Sequence, residues 1–289
     1  MSNLRYESPK TALDAVALLE NEPGHAKVFA GGTDLIVQMQ EGHLEPSLLV
    51  DIKQIPETRK IIFGSDNIRI GSAVTGAEIG EDQKLREMWP GVVEAAELIG
   101  SYQIQGRATI GGNLCNASPA ADSVPALIAA GAKVAIMGPL GERETPIEKL
   151  LSGPGKTFLK KGEFVTTIIL PLQKKAASDA YLRFIPRTEM DIAVVGAGVS
   201  LAVGSDGVCS GARLSLGAIS PTALLVEKAT DILVGNRLDS SVLSALSKAA
   251  SDICQPIDDK RGTIEFRTKV AGVLACRAAK IAWQRAEER

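Results

Sequence analysis

The chain has 289 residues, of which 45% are hydrophobic and 23% charged, with a formal net charge of −2. That length and apolar content suit a globular protein with a sizeable core, and two domains are expected. The near-neutral balance argues against general affinity for nucleic acid or an anionic membrane. No apolar run of about 18 residues is present to span a bilayer, and the opening MSNLRYESPK has no apolar signal region, so a cytoplasmic protein is expected. Cys115, Cys209, Cys254 and Cys276 lie far apart with no C-x-x-C pair. That spacing argues against zinc or iron–sulfur ligation by this chain and suits core thiols in a reducing compartment.

Thr11, with Asp14 three residues on, marks the start of a helix through ALDAVALL. KVFA reads as a short buried strand, and LLVDI (48–52) as another. KIIFGSDNIRIGSAVT reads as a hairpin around Ser-Asp-Asn. From Thr75 to Gly100 the spacing turns helical, ending on a plausible C-cap glycine. DSVPALIAAGA predicts a short helix, KVAIM a strand, GPLGERETP a turn into a further strand, and FVTTIILP (164–171) a β-branched strand stopped by proline. The polar LQKKAASD then divides the chain, with units expected at residues 1–175 and 176–289. Beyond it, AYLRFI, IAVVGAGVSLAV and CSGARLSLGAI read as strands, followed by three helical runs ending in EFRTKVAGVLACRAAKIAWQRAEER. Strands followed by helices predict an α+β domain with a small antiparallel sheet.

Three motifs mislead. GPGKT (153–157) resembles the end of a phosphate-binding loop, but the pattern needs glycine at the position of Leu150. GAGVSL (196–201) opens like a dinucleotide fingerprint, yet its last position is Leu201 and it sits inside an apolar strand. Gly198 is therefore expected to have no bearing on a ligand, whatever it does for stability. His25 and His43 form no metal-ligand spacing.

Two diglycine segments remain, AGGTDL (30–35) and TIGGNLCNASPAADS (109–123). Adjacent glycines permit positive φ and let successive N–H groups converge on an anion. Thr33 and Asp34 add polar groups to the first segment, which suits a pyrophosphate. It equally suits a tight turn before a short helix capped by Asp34. In the second, Thr109, Gly111, Gly112 and Asn113 gather backbone donors, a hydroxyl and an amide. Ser118 and Asp122 follow on an Ala-rich stretch, where the Asp can accept bonds from a sugar.

VFAGGTDLIVQMQEG together with GRATIGGNLCNASPAADSVPALIAAGA resembles the FAD-binding medium subunit of the molybdenum hydroxylases, the family of the xanthine dehydrogenase and carbon monoxide dehydrogenase flavoprotein subunits. The likeness continues through YLRFIPRTEMDIAVVGAGVSL, LGAISPTA and DKRGTIEFRTKVAGVL. It implies an α+β fold: a vanillyl-alcohol-oxidase (PCMH)-type FAD-binding domain of two α+β subdomains, then a C-terminal α+β domain. By that likeness Val28, Phe29, Ala30, Gly31, Gly32, Thr33, Asp34 and Leu35 wrap the FAD pyrophosphate. Thr109, Gly111, Gly112, Asn113 and Ser118 form a second wall, and Asp122 contacts the adenosine half. Ile99 and Gly100 pass near the flavin ring, and Arg183 approaches its polar edge. FAD is expected to be non-covalent, since neither His lies in these segments.

The resemblance further implies an electron relay. Substrate is hydroxylated at a molybdenum cofactor on a large partner subunit, and electrons cross [2Fe-2S] clusters on a small partner subunit. FAD on this chain passes them to NAD+, oxygen or a quinone, within a heterotrimer that is often paired. No side chain here is assigned a catalytic or metal-binding role. A stand-alone FAD oxidoreductase and a non-redox nucleotide-binding protein are the alternatives.

Overall fold

The computed structural model describes residues 4–188 and 190–289. The first layer is a parallel sheet, β1 (Arg5–Glu7), β2 (Ala26–Phe29) and β3 (Leu48–Asp51), in the order β1-β3-β2. Helix α1 (Ala12–Asn21) covers it with Ala12, Ala15, Val16 and Leu19, the i, i+3, i+4, i+7 positions of one helix face. The Oγ1 of Thr11 accepts from the Asp14 amide at 3.2 Å, which starts that helix where the sequence places it. β2 is half-buried rather than buried, because part of its surface borders a cleft. It leads into α2 (Leu35–Gln40).

The second layer is an antiparallel sheet of β4 (Ile61–Phe63), β5 (Asn67–Gly71), β6 (Lys133–Gly138), β7 (Gly141–Pro146) and β10 (Phe164–Pro171), in the order β4-β5-β10-β6-β7. A small hairpin of β8 (Leu151–Gly153) and β9 (Lys156–Thr157) precedes β10. Seven of the eight residues of β10 are buried, so its apolar run is continuous rather than alternating. The helices α3 (Gly76–Glu81), α4 (Gln83–Met88), α5 (Pro90–Glu97), α6 (Tyr102–Gln105), α7 (Ile110–Cys115) and α8 (Ser123–Ala129) lie between β5 and β6 in the chain. Val92, Val93, Ile110, Leu114, Val124 and Leu127 from them share one core with Ile68, Ile70 and Ile168.

The C-terminal domain is an antiparallel sheet, β11 (Ala177–Phe184), β12 (Val195–Val203), β13 (Cys209–Gly217) and β14 (Leu224–Leu225). Helices α9 (Glu227–Leu233), α10 (Ser240–Asp252) and α11 (Ile264–Glu287) cover one face. α11 meets that face with Ala271, Ala275, Ala278, Ala279, Ala282 and Ala286, small side chains that allow close approach.

The opposite face of this sheet packs on the first domain, and there the GAG of β12 finds its physical reason. An added Cβ at Gly198 would lie 2.6 Å from the Pro125 carbonyl oxygen of α8, and one at Gly217 of β13 would lie 2.6 Å from Pro125 Cγ. Glycine thus clears a seam into which α8 settles. Gly198 serves a packing contact and no nucleotide motif. Gly198→Ala should cost about 1–3 kcal/mol by overpacking. Gly211→Ala, whose Cβ meets nothing within 4 Å, should stay within about 0.5 kcal/mol. Urea unfolding of the two variants checks this, and equal losses would refute the seam.

Asp179 of β11 lies within the same interface, 2% exposed. Its Oδ2 accepts from the Val92 amide at 3.0 Å, while its Oδ1 has no partner. Burial pushes its carboxyl up to about 7; Glu94 adds to the rise, and the Gly91 and Val92 amides and Arg285 oppose it. The folded pKa lies above the unfolded value of about 3.9, so the native state binds the extra proton between those values. The stability this group contributes is present below about pH 4 and is lost as pH rises towards 7. Asp179→Asn should therefore flatten the fall in urea midpoint between about pH 5 and about pH 7.5. Carboxyls held low by their bonds, such as Glu163 and Asp259, lose their contribution only at more acid pH; burial pushes Asp122 up to about 6, so a smaller fall remains in the variant. An unchanged pH profile in the variant would count against a protonated Asp179.

Candidate cofactor cleft

A cavity of about 620 Å³ opens between the two layers of the first domain. Val28, Ala30, Gly31, Gly32, Thr33, Asp34 and Leu35 line one wall, and Ile99, Thr109, Gly111, Gly112 and Asn113 the other. The two walls touch at Gly31, where an added Cβ would lie 2.0 Å from the Arg107 carbonyl oxygen. Gly32 stands at φ +76°, and a Cβ there would lie 2.5 Å from the Phe29 ring. Both glycines are required, one for a close approach and one for a left-handed turn.

The first wall is built for an anion. Among the described residues, the amides of Gly31, Gly32, Thr33, Asp34 and Leu35 donate to no protein acceptor. Successive free N–H groups at one bend form the kind of nest that takes a phosphate. Asp34 occupies the N-cap position of α2, yet its side chain makes no capping bond. The capping alternative for Asp34 is thereby corrected. Burial raises its pKa.

Beneath the bend lies a support that no motif announced. Lys53 Nζ donates to the Ala30 carbonyl at 2.8 Å, sits 2.8 Å from Asp51 Oδ1 and lies 4.2 Å from the Phe29 ring centroid. Burial works against the Asp51 charge, but bonds from Lys53 and Tyr6 outweigh it and hold this carboxyl below its usual range. Lys53 lies 21 residues beyond the second glycine, and only the parallel pairing of β2 with β3 brings it back.

The second diglycine is not a nest. Its residues form the first turns of α7, with Thr109 as N-cap. The Gly111 amide donates to the Ser72 carbonyl (3.2 Å), that of Gly112 to Thr109 Oγ1 (3.0 Å) and that of Asn113 to the Thr109 carbonyl (2.9 Å). The expected backbone donors are thus already used inside the protein. Gly111 serves close packing instead, since a Cβ there would lie 2.4 Å from the Ser72 carbonyl oxygen. What this wall offers a ligand is side chains. Asn113 Oδ1 is fixed by the Ser123 hydroxyl at 2.7 Å, which leaves its Nδ2 group to donate. Gln38 Nε2 reaches across from α2 to Asn116 Oδ1 at 3.0 Å and ties the walls together.

Phe29, Gly100, Ser118, Asp122 and Arg183 are not brought into this lining. Phe29 lies beneath the bend, and the Ser118 hydroxyl accepts from the Ala120 amide at 3.3 Å. Asp122 bonds the Tyr181 hydroxyl (3.0 Å) and Arg183 (2.8 Å), and Arg183 also donates to the Leu98 carbonyl at 2.8 Å. The Arg183 side chain is 7% exposed. These two side chains face one another, and their expected approach to the flavin's polar edge and to the adenosine half stays an expectation. Sequence reasoning missed Ser72, Cys115, His25 and the segment Gly155–Val165, all of which border the cavity. The pair Lys160–Lys161 was the one available signal, a local positive charge beside a phosphate-sized cleft. Burial pushes the Cys115 thiol up to about 12, so it stays protonated and a poor nucleophile.

A cleft of this size with one anion nest and a second wall of side-chain donors defines a nucleotide-cofactor site in a two-subdomain α+β fold. Comparison with known proteins says which. Residues 2–173 match the model for the FAD binding domain in molybdopterin dehydrogenase, and residues 180–282 that for the CO dehydrogenase flavoprotein C-terminal domain. The chain is 32% identical to the carbon monoxide dehydrogenase medium chain of Hydrogenophaga pseudoflava, over 97% of each chain. It is 33% identical to the putative xanthine dehydrogenase FAD-binding subunit of Escherichia coli (strain K12), over 91% of this chain and 90% of that one. Its structure superposes on a chain of reconstituted CO dehydrogenase from Oligotropha carboxidovorans with a TM-score of 0.93 at 32% identity, covering 98% of each. For quinoline 2-oxidoreductase from Pseudomonas putida 86 the TM-score is 0.89 at 26% identity. The chain belongs to the FAD-binding subunit family of the molybdenum hydroxylases, with a PCMH-type FAD domain and a CO dehydrogenase flavoprotein-like C-terminal domain.

FAD fits the residues present: its pyrophosphate supplies the acceptors that five unpaired amides lack. Gly32→Val should therefore leave a soluble protein with little bound flavin. Charge-assisted bonds to phosphate contribute roughly 1.5–3 kcal/mol each, so losing one or two weakens FAD about tenfold to a thousandfold or more. Gly211→Ala should retain flavin. The visible absorbance of the purified variants decides, and full flavin content in Gly32→Val would remove the bend from the site.

Proposed function

We propose that this chain is the electron-relay subunit of a molybdenum hydroxylase. It receives electrons from [2Fe-2S] clusters on a small partner subunit, holds them on FAD and delivers them to NAD+, oxygen or a quinone. Hydroxylation belongs to a molybdenum cofactor on a large partner subunit, and the three chains form a heterotrimer that is often paired. The unit boundary falls between residues 175 and 176, and the setting is cytoplasmic. The observation that carries this reading is the row of unpaired amides from Gly31 to Leu35 in a chain that shares its whole length with flavoprotein subunits of such enzymes.

FAD supplies the one- and two-electron chemistry when bound; the protein supplies placement and surroundings. The bend takes the pyrophosphate, Lys53 holds the bend and adds a positive charge near it, and Asn113 and Thr109 present side-chain donors from the opposite wall. Named relatives act on different compounds, among them carbon monoxide, xanthine and nicotinate. In this reading the substrate pocket lies on the partner, so the choice of compound is not written in these residues.

The test is direct. The purified full chain should be yellow, with about one FAD per chain, and should oxidise no aldehyde, purine or carbon monoxide by itself. Co-expressed with its native partners, its flavin should be reduced on addition of their substrate. Substrate oxidation by the single chain without molybdenum or iron would favour a stand-alone oxidoreductase. A colourless chain that binds ATP would favour a non-redox nucleotide-binding protein.

A further inference from the structure

Strand β11 has two faces. Ala180 and Leu182 pack into the C-terminal core. Asp179, Tyr181 and Arg183, the alternating positions, turn to the first domain and meet α5 along its length. Asp179 Oδ2 accepts from the Val92 amide (3.0 Å) in the first turn of α5. The Tyr181 amide donates to Glu94 Oε2 (3.1 Å) in its middle. Arg183 Nη1 donates to the Leu98 carbonyl (2.8 Å), immediately after its last residue. The helix has no side-chain cap of its own, since the residue before it is Trp89. A strand of the other domain supplies a carboxyl acceptor for a free amide at its start and a guanidinium donor for a free carbonyl at its end.

The close fit is specific. A Cβ at Gly91 would lie 2.6 Å from Asp179 Oδ2 and 2.7 Å from the Ala180 amide nitrogen. Arg285 of α11 braces the arrangement from behind, bonding the Asp179 carbonyl at 2.9 Å and the Glu94 carboxylate. What the clamp holds is a cleft wall. Leu98 is followed directly by Ile99, which lines the cavity, and by Gly100, which turns the chain at φ +69°. Arg183 also binds Asp122, between α7 and α8, so one guanidinium ties two pieces of the first domain to β11.

We propose that Asp179 and Arg183 are positioning residues for the cofactor: through α5 the C-terminal domain sets where Ile99 stands in the FAD cleft. This rests on the FAD reading above. A purely structural interface would lower stability when broken, but its effect on FAD would not depend on Ile99. Positioning through Ile99 makes the two losses interdependent.

The experiment is a double-mutant cycle on the full chain, with FAD removed and rebound. Arg183→Met and Ile99→Ala are made singly and together, and the FAD dissociation constant and melting temperature of each are measured. Arg183→Met should weaken FAD about tenfold alone, yet less than about twofold in the Ile99→Ala background. Additive losses, or an unchanged dissociation constant with only a lower melting temperature, would overturn the proposal. If Arg183→Met does not fold, the same cycle is run with Arg183→Gln, a shorter neutral side chain that removes the Nη1 bonds to Leu98 and Asp122; the same criteria apply. A wild-type chain that fails to bind FAD would end the FAD reading itself. One that binds FAD but shows no coupling would end only the clamp.

Discussion

Everything in the first domain is arranged around backbone amides that the protein does not satisfy. The first amides of any helix find no partner within it, and here the bend ahead of α2 adds further free donors on the cleft side. Here five follow one another, from Gly31 to Leu35. They cannot form a longer helix backwards, because Gly32 turns left-handed and Gly31 is pressed against the Arg107 carbonyl. They cannot collapse downwards, because Lys53 already holds the Ala30 carbonyl over a Phe29 ring. Water or an anion from outside is the remaining partner, and in the FAD reading proposed above a pyrophosphate would take that place.

The two diglycines show how far local sequence carries and where it stops. The outline of the fold was legible: β10 and β11 to β13 follow from β-branched and alternating runs, and α1 from its cap and spacing. The first diglycine was legible as an anion site because nothing nearby competes for its amides. The second carries the same GG but has Thr109 three residues before Gly112, a spacing that places the hydroxyl on the Gly112 amide. That is a helix start, and it consumes the very donors the glycines were thought to expose. The capping rule that identifies Thr11 applies equally to Thr109; glycine content obscured it. Lys53 and the segment from Gly155 to Val165 were not legible for a different reason. They reach the cleft through strand pairing and layer packing, and no short window encodes those distances.

The GAG of β12 teaches the complementary lesson. Its glycines hold no phosphate, yet they are not idle. Gly196 would crowd the Tyr181 hydroxyl and Gly198 the Pro125 carbonyl if either carried a Cβ. The sheet of the C-terminal domain is therefore bare where the first domain must come closest. Bulk on the other face, in Val195, Ala197, Val199 and Leu201, builds that domain's own core. One strand thus reads as apolar throughout while serving two different contacts, and alternation of size rather than polarity separates them.

That bare seam bears on how the cofactor site is organised. The cleft lies within the first domain, but α5, whose end carries Ile99, borrows its hydrogen-bond caps from β11. Such borrowing requires the strand to lie close enough for its side chains to reach the helix backbone at both ends, about two turns apart. A Cβ at Gly198 or Gly217 would press on Pro125 of α8, and one at Gly91 on Asp179 and Ala180 of β11, so glycine at these three positions removes the obstruction. The contact is then close enough for Asp179 and Arg183 to address opposite ends of one helix. If the proposed clamp holds, the glycines that form no nucleotide motif act on the same cleft as Gly31 and Gly32, by admitting the neighbouring domain.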